Sequence, residues 1–114
     1  MAKVVHRFGA KGVLMGYAIF CPACGHGHIF NIARDGYSGP DWEFNGNFEK
    51  PTFKPSMLVF VTLDNGKRKT LCHSFVTNGR IQFLDDCAHA MKGQTVDLAP
   101  FPGDYKVPSP DDEA

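Results

Sequence analysis

Apolar and aromatic residues recur along the chain in short runs broken by glycine, proline and Asn-Gly, with few of the three-and-four spacings of an amphipathic helix. Such a pattern predicts strands and turns. Lys3 to Phe8 and Val13 to Phe20 are rich in β-branched and aromatic residues and read as two strands divided by Gly9 and Gly12. The second runs directly into Cys21-Pro22-Ala23-Cys24-Gly25, and His28 to Ile32 leaves it, giving the strand, knuckle, strand layout of a zinc ribbon. After a loop at Asp35 to Pro40, Trp42-Glu43-Phe44 and Asn47-Phe48-Glu49 flank Asn45-Gly46, which predicts a short hairpin. Pro51 to Ser56 carries two prolines and is expected to be an extended connection; Met57 to Leu63, apolar on both faces, is expected to be a central strand.

Two further Asn-Gly turns, Asn65-Gly66 and Asn78-Gly79, divide Met57–Leu63, Leu71–Thr77 and Arg80–Leu84 into a three-stranded antiparallel meander. Asp85-Asp86 ahead of Cys87 to Met91, with Gly93 as a stop, predicts a helix of roughly two turns. Gln94 to Leu98 adds a last strand, and Ala99 to Ala114, with four prolines and an acidic end, reads as an arm or tail. The expected fold is therefore mainly β, a small α+β chain. It has an antiparallel meander, a zinc-ribbon-like knuckle, one short helix and an extended C-terminal arm, with one domain over residues 1–98 and the arm over 99–114.

Cys21-x-x-Cys24 is half of a tetrahedral metal site, and the Asn78-Gly79 turn supplies the other half. A two-residue turn pairs Thr77 with Arg80, Val76 with Ile81, Phe75 with Gln82 and Ser74 with Phe83. Opposed residues point to one face, so Cys72, Ser74, Val76, Ile81 and Phe83 share a face that an extended continuation would carry to Cys87. The register selects Cys21, Cys24, Cys72 and Cys87 as a zinc-type Cys₄ set, with iron as the other ion that fits such a cage. His26, His28 and His89 compete for ligand positions. His73 points to the opposite face with Phe75, Arg80 and Gln82.

The 114 residues suffice for one ordinary domain, burying about 60–70% of the unfolded surface, so a metal staple would help a small core. Four cysteines in a chain without a signal-peptide core or membrane-length apolar run point to metal in a reducing cytoplasm rather than disulfides. Twelve basic and twelve acidic residues leave no net field to draw the molecule onto nucleic acid or an anionic membrane.

The runs Cys72-His73-Ser74-Phe75-Val76, Gly79 to Leu84, Asp86-Cys87, His89-Ala90 and Gly93 to Val96 resemble an uncharacterised family of small proteins frequent in bacteriophage and prophage genomes. Trp42, Phe44-Asn45-Gly46-Asn47, Pro51 to Ser56 and the Cys21–Gly25 knuckle are similar to the same family. Some members carry an ammonia monooxygenase label. The resemblance implies a viral or mobile-element origin, action on host machinery and, if phage-encoded, residence in bacterial host cytosol.

Three functions compete on these residues. The first is a non-catalytic, zinc-stabilised binding module with no catalytic residues, which engages a host or phage protein or a small ligand. Its contact surface would be His73, Arg80, Gln82, Trp42 and His89. The second is a metal-dependent hydrolase in which His73 or His89 ligates zinc and Asp85, Asp86 or Glu43 acts as base on a bound water. The third is nucleic-acid binding through Lys67-Arg68-Lys69, which the neutral overall charge disfavours.

Overall fold

A computed structural model describes residues 2–103. The acidic end, Asp111-Asp112-Glu113, and the arm from residue 104 onward lie outside the described residues. Two antiparallel sheets make up the fold. The first is ordered β1 (Val4–Phe8), β2 (Leu14–Phe20), β3 (Gly27–Asn31). The second runs β4 (Glu43–Phe44), β5 (Phe53–Thr62), β6 (Arg68–Thr77), β7 (Arg80–Phe83), β8 (Thr95–Asp97). Among the described residues the only helical element is a 3₁₀ turn at Ala10–Gly12, and no helix is long and apolar enough to cross a membrane.

The expected strand, knuckle, strand unit forms: β2 and β3 pair from Phe20↔Gly27 to Gly16↔Asn31, with the first cysteine pair at the bend. Gly16 is required where it stands, because a Cβ there would overlap the Phe30 carbonyl oxygen. The meander also forms in the expected register, with Thr77↔Arg80, Val76↔Ile81, Phe75↔Gln82 and Ser74↔Phe83 paired. Asn78 and Gly79 both have positive φ, as a two-residue hairpin turn demands.

Three elements differ from the expectation. Glu43–Phe44 pairs with Phe53 and Lys54 of β5 rather than with residues 47–49. The reason is local: Asn45 Oδ1 accepts the Asn47 N–H, and Asn47 Oδ1 accepts those of Glu49 and Lys50, which turns this segment into a loop. The extended connection is therefore shorter than expected, and Phe53 to Ser56 belongs to β5. No helix forms after Asp85-Asp86. Two backbone donors there go back to strands, Ala88 N–H to Leu71 O at 3.0 Å and Gly93 N–H to Phe83 O at 2.9 Å, and others close isolated turns, as Cys87 N–H does on Leu84 O.

The two sheets close over one core, in which Val4, Ile19 and Phe30 of the first meet Phe53, Met57, Cys72, Val76, Ile81 and Phe83 of the second. Phe53 is stacked between Phe30 at 4.0 Å and Phe44 at 4.7 Å. β5 lies between the two-residue β4 and β6, and it is not buried throughout: Leu58 is exposed, and toward the strand's end so are both Phe60 and Val61. The start of the arm docks, with Phe101 N–H donating to Ala2 O and its ring edge-on to Phe20.

Candidate functional site

Alternation along β6 gives the strand two different faces. Cys72, Ser74 and Val76 point into the core, while His73 and Phe75 point out. Leu58 pairs with His73, so Leu58 shares the outer face, and so does Ser56, two residues earlier on the same strand. The Ser56 hydroxyl lies 3.0 Å from His73 Nε2. On the other side of the ring, His73 Nδ1 lies 3.0 Å from Asp86 Oδ2 and 3.3 Å from Oδ1. The turn that carries Asp86 is held against β6 by Leu84 N–H to His73 O at 2.9 Å.

Proton placement follows from this chain of contacts. A carboxylate only accepts, so Nδ1 carries the proton and donates to Asp86. Nε2 is then bare and accepts the Ser56 O–H. The result is a serine hydroxyl bonded to an imidazole that is oriented by an acid, the arrangement in which a serine is activated as a nucleophile. The His73 side chain is 26% exposed and that of Asp86 51%, so the site opens to solvent. Ser74, the neighbouring serine on β6, is buried on the inner face with no partner for its hydroxyl among the described residues.

Trp42, half-buried against the core, reaches the backbone of the same place. Its indole N–H donates to Ser56 O at 3.3 Å, and its ring stands edge-on to Phe30 at 5.6 Å. A hollow of about 370 Å³ is lined by Asp41, Glu43, Lys54 and Pro55, the last being the residue before Ser56. Arg80 and Gln82 lie on the outer face as expected. Arg80 is paired with Asp97 at 3.2 Å, and Gln82 lies opposite Thr95. His89 is on the inner side, its Nε2 3.3 Å from Cys72 Sγ and its ring edge-on to Phe83.

The inner face of β6 carries the cysteines. None of the four is in a disulfide. Two groups of donors share Cys72: Cys21, Cys24 and His28 with it on one side, Cys87 and His89 on the other, and within each group the donor atoms lie within 4.8 Å of one another. The cluster can hold a metal ion. A thiol bond from Cys72 lowers the Cys21 pKa strongly, with burial opposing and the nearby His28 imidazole assisting. That same bond, with burial, raises the Cys72 pKa, and burial raises that of Cys24 to about 11. Within a crowded thiol set one group ionises at the expense of its neighbours. Cys87 has a further contact. Its Sγ lies 3.1 Å from the His73 N and 3.2 Å from the His73 O, directly behind the imidazole strand.

The favoured binding-module expectation has no catalytic residue, and the hydrolase alternative counts His73 and Asp86 among its residues around a metal; the structure instead brings Ser56, His73 and Asp86 together from three segments. Their separations of 17 and 13 residues match no short motif, so spacing could not reveal them. The one available signal was the register, which puts His73 on the face away from the cysteines and close to Asp85-Asp86.

Residues 2–84 match the family described as "Bacterial ubiquitination-like system serine protease (BubE)". The chain belongs to the BubE family. The matched segment contains Ser56, His73 and three of the four cysteines, and it ends two residues before Asp86. The family description refers to a bacterial system, and it lends no support to the phage or ammonia monooxygenase associations. No curated protein and no solved structure matches the chain.

Proposed function

We propose that this chain is a serine protease of a bacterial ubiquitination-like system, with Ser56 as nucleophile, His73 as general base and Asp86 as the carboxylate that orients it. The hydrogen-bonded sequence Ser56 Oγ, His73 Nε2, His73 Nδ1, Asp86 Oδ2 carries this reading, each link at 3.0 Å. The BubE family description supports the same chemistry independently. Catalysis accounts for three outward polar groups in a row better than a purely binding role does.

Ser56 Oγ attacks the carbonyl carbon of the scissile bond as Nε2 takes its proton. The imidazolium then gives that proton to the leaving amine, and an acyl ester remains on Ser56. Water, deprotonated by the same nitrogen, attacks the ester carbon, and the imidazolium returns the proton to Ser56 Oγ as the acid product leaves. Asp86 keeps the proton on Nδ1 throughout and stabilises the transient imidazolium. Along the chain the order is Ser, His, Asp, unlike the chymotrypsin, subtilisin and α/β-hydrolase orders, and such sites are recognised by geometry rather than sequence position.

Substrate would lie across the outer face of the second sheet. Exposed Leu58, Phe60 and Phe75 flank the site on that face, and the hollow at Asp41, Glu43, Lys54 and Pro55 includes the residue before Ser56. We take zinc as the ion of the thiol cluster, because soft sulfur and imidazole donors suit it. Its position on the inner face separates it from Ser56.

Fluorophosphonates test the reading without knowledge of the substrate, since they phosphonylate activated hydroxyls, a catalytic serine foremost. The intact protein gains one phosphonyl group, and neither Ser56→Ala nor His73→Ala does. A Ser56→Ala variant that still accepts the label would refute the assignment.

A further inference from the structure

The imidazole of His28 poses a problem for the folded chain without metal. It is 3% exposed, and neither ring nitrogen has a partner among the described residues beyond the nearby Cys21 sulfur. Buried polar groups are almost always well paired, so an interior imidazole left among thiols needs an explanation. The strand alternation that buries Phe30 also turns His28 inward from β3. There its ring nitrogen joins the sulfurs of Cys21, Cys24 and Cys72, all four donor atoms lying within 4.8 Å of each other. Two sulfurs from the knuckle, one from β6 and a nitrogen from β3 make a closed four-donor set that leaves no position for water.

Cys87 has a different place. Its sulfur lies against the His73 backbone, at 3.1 Å from the amide nitrogen. In chain order, Cys72 precedes His73, and Cys87 follows Asp86. Both partners of Ser56 are therefore next to a cysteine of the inner cluster.

We propose that Cys21, Cys24, His28 and Cys72 bind one zinc-class divalent ion in a closed tetrahedral site that holds His73 in place for Ser56 from the opposite face of β6, with Cys87 as a positioning residue on the His73 backbone. The coupling to Ser56 rests on the serine protease reading; the ligand set does not. The ion itself takes no part in bond making.

Cobalt(II) substitution gives a readout separate from activity, since tetrahedral sulfur-nitrogen coordination produces intense visible bands and thiolate charge transfer. The full chain should purify with one metal per molecule and show these bands with cobalt. His28→Gln should lose or shift them and weaken binding more than the roughly ten-fold cost of losing an outer-shell partner. His28→Cys should restore a tetrahedral spectrum, and Cys87→Ser should leave the wild-type spectrum while slowing fluorophosphonate labelling. Unchanged bands in His28→Gln together with altered bands in Cys87→Ser would overturn the ligand set in favour of four thiolates, and so would a chain that binds no metal. Chelation should slow labelling at least about ten-fold, with recovery on adding zinc. Equal labelling with and without metal would overturn the coupling. A metal-loaded chain with tetrahedral cobalt bands that takes no label would instead refute the serine reading and leave the metal site standing.

Discussion

Asp86→Asn tests the orienting role of the carboxylate with little change in shape. Two unit charges 3.0 Å apart attract by about 1.4 kcal/mol at the dielectric of water and about 5.5 kcal/mol at an effective value near 20. The Asp86 side chain is 51% exposed and that of His73 26%, so the pair sits toward the watery end of that range. About 1.5–3 kcal/mol of imidazolium stabilisation is then lost, or roughly 10- to 150-fold in rate. An amide that turns its N–H₂ toward Nδ1 would also favour the wrong tautomer, which moves the effect in the same direction. The assay is the second-order rate of fluorophosphonate labelling, with urea unfolding as a check that the variant is folded. A rate within about two-fold of wild type would refute the orienting role.

Ser56→Ala should abolish labelling and change unfolding free energy by no more than about 1.5 kcal/mol, since it removes one partly exposed hydrogen bond; urea denaturation checks this. Trp42→Phe keeps a ring against Phe30 and loses the indole bond to the Ser56 carbonyl, so labelling should slow about three- to ten-fold. An unchanged rate would show that the indole does not position the serine. Gly16→Ala drives a methyl group into the Phe30 carbonyl in the middle of the first sheet. It should cost about 1–3 kcal/mol or more, seen as a lower midpoint in thermal unfolding.

Much of the architecture is legible in the sequence because it follows from local chemistry. Asn78-Gly79 fixes a two-residue turn, that turn fixes the β6–β7 register, and the register puts Cys72 inside and His73 outside. The knuckle declares itself through Cys21 and Cys24. Less legible was whatever depends on pairing between distant segments. Ser56 follows Pro55 in a stretch whose prolines argue against a strand, yet β5 begins at Phe53 and presents the serine to His73. The loop after Asn45-Gly46 is set by two asparagine side chains, which a turn rule based on the dipeptide does not weigh. His28 reads as one of several histidines until its burial beside Cys21, Cys24 and Cys72 is seen. The split into two sheets likewise has no single residue that announces it.

The central claim is that Ser56 becomes acylated because His73 and Asp86 activate it. Its most direct measurement is reaction of the purified chain with an activated ester, quenching in the first turnover, and location of the acyl group by tandem mass spectrometry. Cysteine sulfur is the competing nucleophile, since none of the four cysteines is in a disulfide, so the site of the adduct decides the matter. One acyl group per chain on Ser56, absent from His73→Ala, is the predicted result. An adduct confined to cysteine, or equal acylation of Ser56 in the His73→Ala variant, would contradict the account.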